Sequence, residues 1–226
     1  MPSLLEQLLN KLPELVMYDL DGTLVDSVPG MALAVDRALA DLDVAPAGEA
    51  RVRTWVGGGQ RLLLEQALDF AGLSQAQFEL GLSRFRHHYR ETANHRLRLF
   101  PGVAQLLTFL HDHGVKQTII TNKPIEYVPD MLKTLAIDGF FVDCLGGECL
   151  AERKPSALPL TTMLARLGVA AEASLMVGDS SNDLIAAQNA GVASVAVTYG
   201  YHRDVDLSQY APVWLGEDLA DLSQPI

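Results

Sequence analysis

One stretch decides the fold of this chain: Leu-Val-Met-Tyr-Asp-Leu-Asp-Gly-Thr-Leu, at residues 15–24. Residues 15–18 form a short, continuous apolar run bounded by breakers, and such a run predicts a buried strand of a parallel sheet. Asp19 and Asp21 follow directly, so they leave the strand at its carboxyl end. In open α/β sheets, ligands bind at that end of the strands. The stretch therefore predicts a functional site at the end of the first strand.

The two carboxylates of this stretch predict a metal ion. They are one residue apart, and they repel each other unless a cation lies between them or one of them holds a proton. Mg2+ prefers oxygen ligands and would also attract a phosphate group. An ordinary turn after a strand would explain the Asp-Gly pair at 21–22, because both residues favour turns. It would not explain Asp19, which places a charge directly after an apolar strand.

Two more apolar runs end in polar residues. The run at 115–120 ends in Thr121 and Asn122, whose hydroxyl and free backbone amide can bind phosphate oxygens. The run at 174–177 ends in Gly-Asp-Ser-Ser-Asn-Asp, which brings Asp179 and Asp183 close together. Asp179 could instead be an ordinary helix N-cap. Because the carboxyl ends of parallel strands share one edge of a sheet, we expect these side chains to face one crevice with Asp19.

A long helical insert follows the first strand. The sequence predicts helices at 31–40, 51–56, 60–70 and 74–92, with no strand among them. Four helices inserted into an α/β pattern indicate a helical cap domain. The predicted boundaries are residues 1–27 and 97–226 for the α/β core and 28–96 for the cap.

Three glycines in the insert, Gly57, Gly58 and Gly59, precede a helix and allow backbone amides to approach an anion closely. With Arg61, they are candidates for substrate selection by the cap. The alternative is a plain turn between two helices.

The remaining segments alternate between strands and helices. A leading helix is predicted from Ser3 to Leu12, with Pro13 ending it. Further predicted elements are helices at 103–113, 128–135 and 160–167 and strands at 140–145 and 194–197. The fold class is α/β, a doubly wound Rossmann-like parallel sheet with an inserted all-helical cap domain.

Composition narrows the choice of partners. The 226 residues carry 17 basic and 28 acidic side chains, a net charge of −11. This balance argues against nucleic acid and membrane surfaces as partners, and it means that a phosphate site must supply its own local positive charge. Cys144 and Cys149 fit neither a disulfide framework nor a metal site, so we expect reduced thiols. No basic leader and no apolar run of roughly 20 residues is found, and the expected location is the cytoplasm.

At this point the sequence resembles a known family. Asp-Leu-Asp-Gly-Thr-Leu at 19–24 is similar to the first motif of the phosphatase branch of the haloacid dehalogenase-like superfamily. Thr121 matches the second motif in type and order. Lys154, followed by proline, matches the third, with Arg153 as the competing cation. Gly-Asp-Ser-Ser-Asn-Asp at 178–183 resembles the fourth motif.

The resemblance implies a role for each matching residue. Asp19 would be the nucleophile that forms an aspartyl phosphate, and Asp21 would be the general acid and base. Lys154, Thr121 and the Asn122 amide would bind the phosphoryl group. The implied Mg2+ ligands are then the Asp19 carboxylate, the Asp21 carbonyl and the Asp179 carboxylate, with Asp183 as support or as a ligand through water.

Shorter matches point to a substrate class. Arg-Thr-Trp-Val-Gly at 53–57, Phe-Pro-Gly-Val at 100–103 and Thr-Tyr-Gly-Tyr at 198–201 resemble bacterial phosphatases of this superfamily that act on 2-phosphoglycolate. The resemblance thus implies a small anionic phosphomonoester as the substrate. One alternative is a phosphatase or phosphomutase of another small sugar phosphate. Another is a non-catalytic regulatory domain that accepts a phosphoryl group, against which the long helical insert argues. The chain is expected to be a monomer or a homodimer.

Overall fold

A computed structural model describes residues 1–201 and 205–225. Residues 202–204 and 226, which fall within the predicted core, lie outside the described residues. The centre of the fold is a six-stranded parallel sheet with the order β5-β4-β1-β6-β7-β8. Its strands are β1 (Leu15–Tyr18), β4 (Lys116–Ile120), β5 (Asp143–Leu145), β6 (Ser174–Gly178), β7 (Ala193–Val197) and β8 (Trp214–Gly216). The predicted doubly wound parallel sheet is confirmed.

The position of β1 in the sheet creates the ligand crevice. The chain builds outward from β1 through β4 to β5, and then returns to the other side of β1 with β6. Tyr18 is in register with Ile119 of β4 and with Val177 of β6. Such a reversal of strand order leaves a crevice at the carboxyl ends of the strands. Asp19, Thr121 and Asp179 therefore leave three adjacent strands at nearly the same level.

The two faces of β1 pack into two different cores. Val16 and Tyr18 belong to the cluster on one face of the sheet, whereas Leu15 and Met17 belong to the cluster on the other. Successive side chains of a strand point to opposite faces, and helices cover both faces of a parallel sheet, so all four residues of this strand are apolar. The covering helices are α1 (Leu4–Leu9), α6 (Val103–Asp112), α7 (Val128–Thr134), α8 (Leu158–Leu167) and α9 (Ser181–Ala190).

Four helices form the insert between β1 and α6. They are α2 (Val28–Ala40), α3 (Glu49–Arg53), α4 (Gln60–Ala71) and α5 (Phe78–Thr92). Leu39, Leu64, Leu68 and Phe85 are fully buried among them. The helical cap is therefore present as predicted, while the domain boundaries at residues 27 and 97 stay a prediction.

A short antiparallel ribbon joins the insert to the sheet domain. Its strands are β2 (Val25–Asp26) and β3 (Arg98–Leu99). The Asp26 carboxylate is buried and accepts hydrogen bonds from Arg98 at 3.1 and 2.7 Å and from the Tyr201 hydroxyl at 2.7 Å. Strands of two residues leave no periodic pattern, which is why the sequence did not predict the ribbon.

Several predicted helices have different bounds: those predicted at 31–40, 74–92 and 160–167 cover Val28–Ala40, Phe78–Thr92 and Leu158–Leu167. The helix predicted at 51–56 covers Glu49–Arg53 instead, because the Asp36 carboxylate accepts from the amides of Ala47 and Gly48 at 2.7 and 3.1 Å and fixes its start. The leading helix ends at Leu9 rather than Leu12, because the next residue, Asn10, adopts a left-handed conformation.

Within the described ranges, no helix combines the length and the apolarity that a membrane span requires. Cys144 and Cys149 are both free thiols, as predicted.

Candidate active site

Lys154 joins two of the predicted carboxylates. Its ammonium group lies 2.8 Å from Asp19 Oδ1 and 2.6 Å from Asp183 Oδ1, and it donates to the Ile120 carbonyl at 2.5 Å. Lys154 is only 3% exposed, whereas Arg153 is exposed. Burial lowers the pKa of Lys154, but the carboxylates of Asp183 and Asp19 outweigh this effect, and the net shift is upward. Of the two adjacent cations, the structure thus brings Lys154 to the crevice as a permanently charged group.

Asp179 is fixed from three sides. Its Oδ1 accepts from the Thr23 hydroxyl at 2.8 Å, and its Oδ2 accepts from the Tyr201 amide at 2.6 Å. A Cβ atom on Gly22 would lie 2.4 Å from Asp179 Oδ2, and one on Gly200 would lie 2.3 Å from its Cβ. Only glycines permit this close approach, so the conformation of the Asp179 carboxylate is set by its surroundings.

Three buried carboxylates form one cluster. Asp19, Asp179 and Asp183 each offer an oxygen within 4.8 Å of the others. Burial raises the pKa of Asp19 to about 6, with Lys154 opposing the shift and Asp183 adding to it. Burial also raises the pKa of Asp179 well above its usual value, and the charges of Asp183 and Asp19 add to this effect.

The mutual repulsion in this cluster is the situation that a divalent cation relieves, and all of its donors are hard oxygens. The residues therefore fit Mg2+, the ion that the sequence predicts. Both oxygens of Asp183 already have partners, Lys154 at Oδ1 and Ser180 at Oδ2, which suits Asp183 to a supporting position.

Asp21 makes a separate set of contacts. It accepts a hydrogen bond from the Ser27 hydroxyl, and its two oxygens lie 3.0 and 3.1 Å from the Lys123 ammonium. Lys123 is 5% exposed and also donates to the Tyr89 hydroxyl at 2.5 Å. Burial lowers the pKa of Lys123, but Asp21 and Tyr89 outweigh this effect, and the net shift is upward. Asp21 thus contacts Ser27 and Lys123, while Asp19 contacts Lys154 and belongs to the carboxylate cluster.

Thr121 and Asn122 present the donors that a phosphoryl group requires. The Thr121 hydroxyl accepts from the Lys123 amide at 3.2 Å, which leaves its own proton available. The backbone amide of Asn122 donates to no described residue. The Asn122 side chain instead donates to the carbonyls of Lys154 and Gly57, at 3.0 and 3.3 Å. The side chain thus orders the loops, and the backbone faces the crevice.

The cap loop closes over the crevice. The Gly57 carbonyl accepts from the side-chain amides of Asn122 and Asn182, at 3.3 and 3.2 Å. Gly57 has φ +115°, which L side chains rarely adopt. Between cap and core lies a partly open cavity of about 40 Å³, room for a few water molecules. Gly57 and Gly59 line this cavity together with residues of both units, namely Asp19, Asp21, Met31, Val56, Gln60, Leu63, Phe85, Tyr89, Thr121, Asn122, Lys123, Pro124, Tyr127, Lys154, Ser180, Asn182 and Asp183.

Two predicted cap residues lie outside this cavity. Arg61 is more than half exposed, stacks on Phe78 and lies 3.7 Å from Glu79. It points away because α4 turns this position towards α5. Gly58 lines a neighbouring groove instead. Arg61 therefore does not line this cavity in the structure, and its role in substrate selection stays a prediction.

Sequence reasoning missed Lys123, Tyr89 and Asn182. Lys123 stands two residues after Thr121, in the same strand-end segment, and this position was the available signal. Lysine is most often a surface residue, so its type alone gave no reason to assign a role. Tyr89 follows Phe85 at helical spacing, which is typical of a core residue. Its contact with Lys123 depends on how the cap packs on the core, and no local pattern encodes that.

Comparison with known proteins identifies the family. The profile of the family described as haloacid dehalogenase-like hydrolase matches residues 16–197. The chain belongs to this family, which confirms the resemblance of its four motifs, and it is an enzyme of the hydrolase class.

Two relatives and one solved structure show which members of the family this chain is similar to. The chain is 39% identical over 215 residues to the phosphoglycolate phosphatase of Mannheimia succiniciproducens, covering 92% of this chain and 96% of that protein. It is 39% identical over 217 residues to phosphoglycolate phosphatase 1 of Pseudomonas aeruginosa, covering 94% of this chain and 79% of that protein. A crystal structure from Haemophilus somnus, described as a predicted phosphoglycolate phosphatase, superposes with a TM-score of 0.87 at 37% identity, covering 92% and 95% of the two chains.

Proposed function

We propose that this protein is a Mg2+-dependent phosphomonoester hydrolase that acts on 2-phosphoglycolate, giving glycolate and phosphate through a phosphoryl group carried on Asp19. One observation carries the proposal. Asp19 lies at the point where the cluster of three buried carboxylates, the Lys154 ammonium and the loop of Thr121 and Asn122 meet, beneath a closed cap. This combination provides a nucleophile, a cation site and phosphate donors around one cavity.

The carboxylates of Asp19 and Asp179 and the carbonyl of Asp21 would hold Mg2+, with Asp183 in support. When bound, the ion supplies positive charge that neutralises the carboxylates and the phosphoryl oxygens. A bound cation would account for the burial of Asp19 and Asp179, whose pKa values are raised in the metal-free protein.

In the first half of the reaction, an oxygen of Asp19 attacks phosphorus and the bond from phosphorus to the ester oxygen breaks. A carboxylate is a weak nucleophile, but it is ionised when its charge is balanced, so positioning matters more than activation. Lys154 holds Asp19 in place, and Thr121 and the Asn122 amide donate to the phosphoryl oxygens. Asp21, as the general acid, delivers a proton to the leaving glycolate oxygen.

In the second half, a water molecule attacks the phosphorus of the aspartyl phosphate. Asp21 accepts the proton of this water, and the bond from phosphorus to Asp19 breaks, which regenerates both carboxyl groups and releases phosphate. The hydrogen bond from Ser27 and the ion pair with Lys123 keep Asp21 oriented towards the crevice. The closed cap limits the water that reaches the intermediate.

The substrate assignment is supported by the relatives. Two relatives that are 39% identical in sequence to this chain, over more than nine tenths of its length, are named phosphoglycolate phosphatases.

A panel of phosphomonoesters with Mg2+ tests this function. We expect the highest kcat/KM and stoichiometric phosphate release with 2-phosphoglycolate. Transfer of the phosphoryl group between positions of a sugar phosphate, without phosphate release, would favour a phosphomutase instead. Absence of turnover on every ester would favour a regulatory domain, and both results contradict the proposal.

A further inference from the structure

Lys123 is a buried cation to which the chemistry above assigns no direct contact with substrate. It follows β4, and its ammonium group lies between the Asp21 carboxylate of the core and the Tyr89 hydroxyl of α5. Both Lys123 and Tyr89 line the cavity, at the junction of cap and core. Among the described residues that line this cavity, the only lysines or arginines are Lys123 and Lys154.

The two lysines differ in whether a substrate anion could replace one of their present hydrogen-bond partners. The three donors of Lys154 are directed at Asp19, Asp183 and the Ile120 carbonyl, so this ammonium group is committed to the phosphoryl end of the site. Lys123 has one charged partner, Asp21, and one neutral partner, the Tyr89 hydroxyl. A substrate anion could replace that hydroxyl as a partner of Lys123, and the phenol could then donate to the same anion.

The leaving group of the reaction emerges next to Lys123. Asp21 must lie within roughly 3 Å of the ester oxygen to protonate it, and the Lys123 ammonium lies 3.0 Å from Asp21. In 2-phosphoglycolate, three bonds separate the ester oxygen from a carboxylate oxygen, a span of roughly 3.5 Å. The carboxylate of a bound substrate therefore reaches the position of Lys123.

The surroundings favour an ion pair at this position. Met31, Leu63 and Phe85 line the same cavity and lower the local dielectric. A buried site built for a charged partner rejects an analogue that lacks it, because the cation is left without its ligand.

We infer that Lys123, assisted by Tyr89, binds the carboxylate of the substrate and thereby selects phosphomonoesters with an anionic tail over those with an uncharged tail. This inference depends on the proposed function, since it assigns the recognition of the same substrate.

The test compares two substrates of nearly equal size, 2-phosphoglycolate and 2-hydroxyethyl phosphate, which lacks the carboxylate. In wild type we expect kcat/KM to favour 2-phosphoglycolate by about 100-fold. Lys123→Met should reduce this ratio to below about 10-fold, whereas Lys123→Arg should keep most of it. Lys133→Met, at an exposed position of α7, is the matched control and should keep the wild-type ratio.

The ratio separates substrate recognition from a purely structural role. If Lys123 only holds Asp21 in place, Lys123→Met slows both substrates equally and the ratio stays at its wild-type value, which overturns the inference but leaves the proposed function intact. If wild type itself shows no preference for 2-phosphoglycolate, the proposed function fails as well.

A binding experiment covers the case in which Lys123→Met has no measurable turnover. Calorimetry with the Asp19→Asn protein and Mg2+ gives the affinity for each ester without hydrolysis. Adding Lys123→Met should weaken the binding of 2-phosphoglycolate by at least about tenfold more than the binding of 2-hydroxyethyl phosphate. An equal effect on both ligands overturns the inference.

Discussion

The ammonium group of Lys154 balances two buried carboxylates, at 2.8 Å from Asp19 and 2.6 Å from Asp183. Lys154→Met removes this charge and leaves both carboxylates without their cation. We expect phosphate release to fall by about 100- to 1,000-fold. In urea denaturation without metal, the free energy of unfolding should be about 3 kcal/mol lower than that of wild type, because the substitution leaves buried carboxylates without a counter-charge. Lys11→Met, at an exposed position, should change neither quantity, and a Lys154→Met protein with wild-type turnover would refute the assignment.

Gly22 leaves room for the carboxylate of Asp179. In Gly22→Ala the new Cβ would lie 2.4 Å from Asp179 Oδ2 and 2.8 Å from the Tyr201 ring, at φ +95°. We expect Mg2+ affinity to fall by at least about tenfold, because one displaced carboxylate ligand costs on the order of 1.4 kcal/mol or more. Isothermal titration with Mg2+ measures this change.

Gly48→Ala is the matched control for this substitution. Gly48 has a similar φ of +81°, but nothing lies within 4 Å of its added Cβ. Gly48→Ala should therefore lower the free energy of unfolding by about 1 kcal/mol through backbone strain alone, and Mg2+ affinity should stay unchanged. Equal effects of the two substitutions on Mg2+ binding would show that backbone strain, and not the contact with Asp179, is responsible.

Proton binding should compete with Mg2+ at the carboxylate cluster. The pKa of Asp19 is raised to about 6 in the metal-free protein, and that of Asp179 is raised as well. Below pH 6 Asp19 holds a proton that the ion must displace, whereas above it Asp19 is increasingly ionised. The rise in Tm that Mg2+ produces should therefore be larger at pH 7.5 than at pH 5.5. An equal rise at both pH values would place the Mg2+ site elsewhere.

At the level of single residues, the sequence was informative where a charge interrupts an apolar pattern. Asp19 and Asp179 both follow buried strands, and this position predicted that they would meet in one crevice. Lys123 also follows a strand end, but lysine is a common surface residue, and only the packing of α5 against the core shows that it is buried. Arg61 shows the limit of such local reasoning, since a cation near a glycine-rich loop was predicted to face the substrate and in the structure stacks on Phe78.

Among the elements, the loop before α4 holds the cap closed on the core. Its Gly57 carbonyl accepts from Asn182, at the start of α9, at 3.2 Å. In Asn182→Ala the closed form loses one hydrogen bond, worth about 1 kcal/mol. We expect KM for 2-phosphoglycolate to rise by about fivefold, with kcat changed much less.

Steady-state kinetics separates these two effects. Asn189→Ala is the control, because Asn189 lies on the same helix and donates to the Pro155 carbonyl at 3.3 Å rather than to the cap. A change confined to kcat in Asn182→Ala would contradict a role in cap closure.

The elements that the sequence predicted well are long or strongly patterned. The first strand has the predicted bounds, and α4 differs from its prediction by one residue, because apolar spacing and a glycine at each end define it. The ribbon of β2 and β3 has only two residues in each strand, and a hydrogen-bonded pair of that length depends on partners 72 residues apart, such as Asp26 and Arg98. No local pattern can predict such a contact.

For the whole molecule, the order of strands explains how residues distant in sequence meet. Placing β1 between β4 and β6 brings Asp19, Thr121 and Asp179 to one edge, and the loop after β5 adds Lys154. The net charge of −11 opposes the approach of an anionic substrate. The positive charge that the site needs is therefore local and buried, in Lys123, Lys154 and the cation that the carboxylate cluster fits.

Phosphate release from 2-phosphoglycolate with Mg2+, measured in parallel for wild type and Asp19→Asn, tests the central claim most directly. The asparagine keeps the size of the side chain but cannot attack phosphorus, and circular dichroism shows whether the fold is kept. We predict turnover in wild type and a loss of about four orders of magnitude or more in Asp19→Asn. Wild-type turnover in a folded Asp19→Asn protein would contradict the claim that Asp19 carries the phosphoryl group.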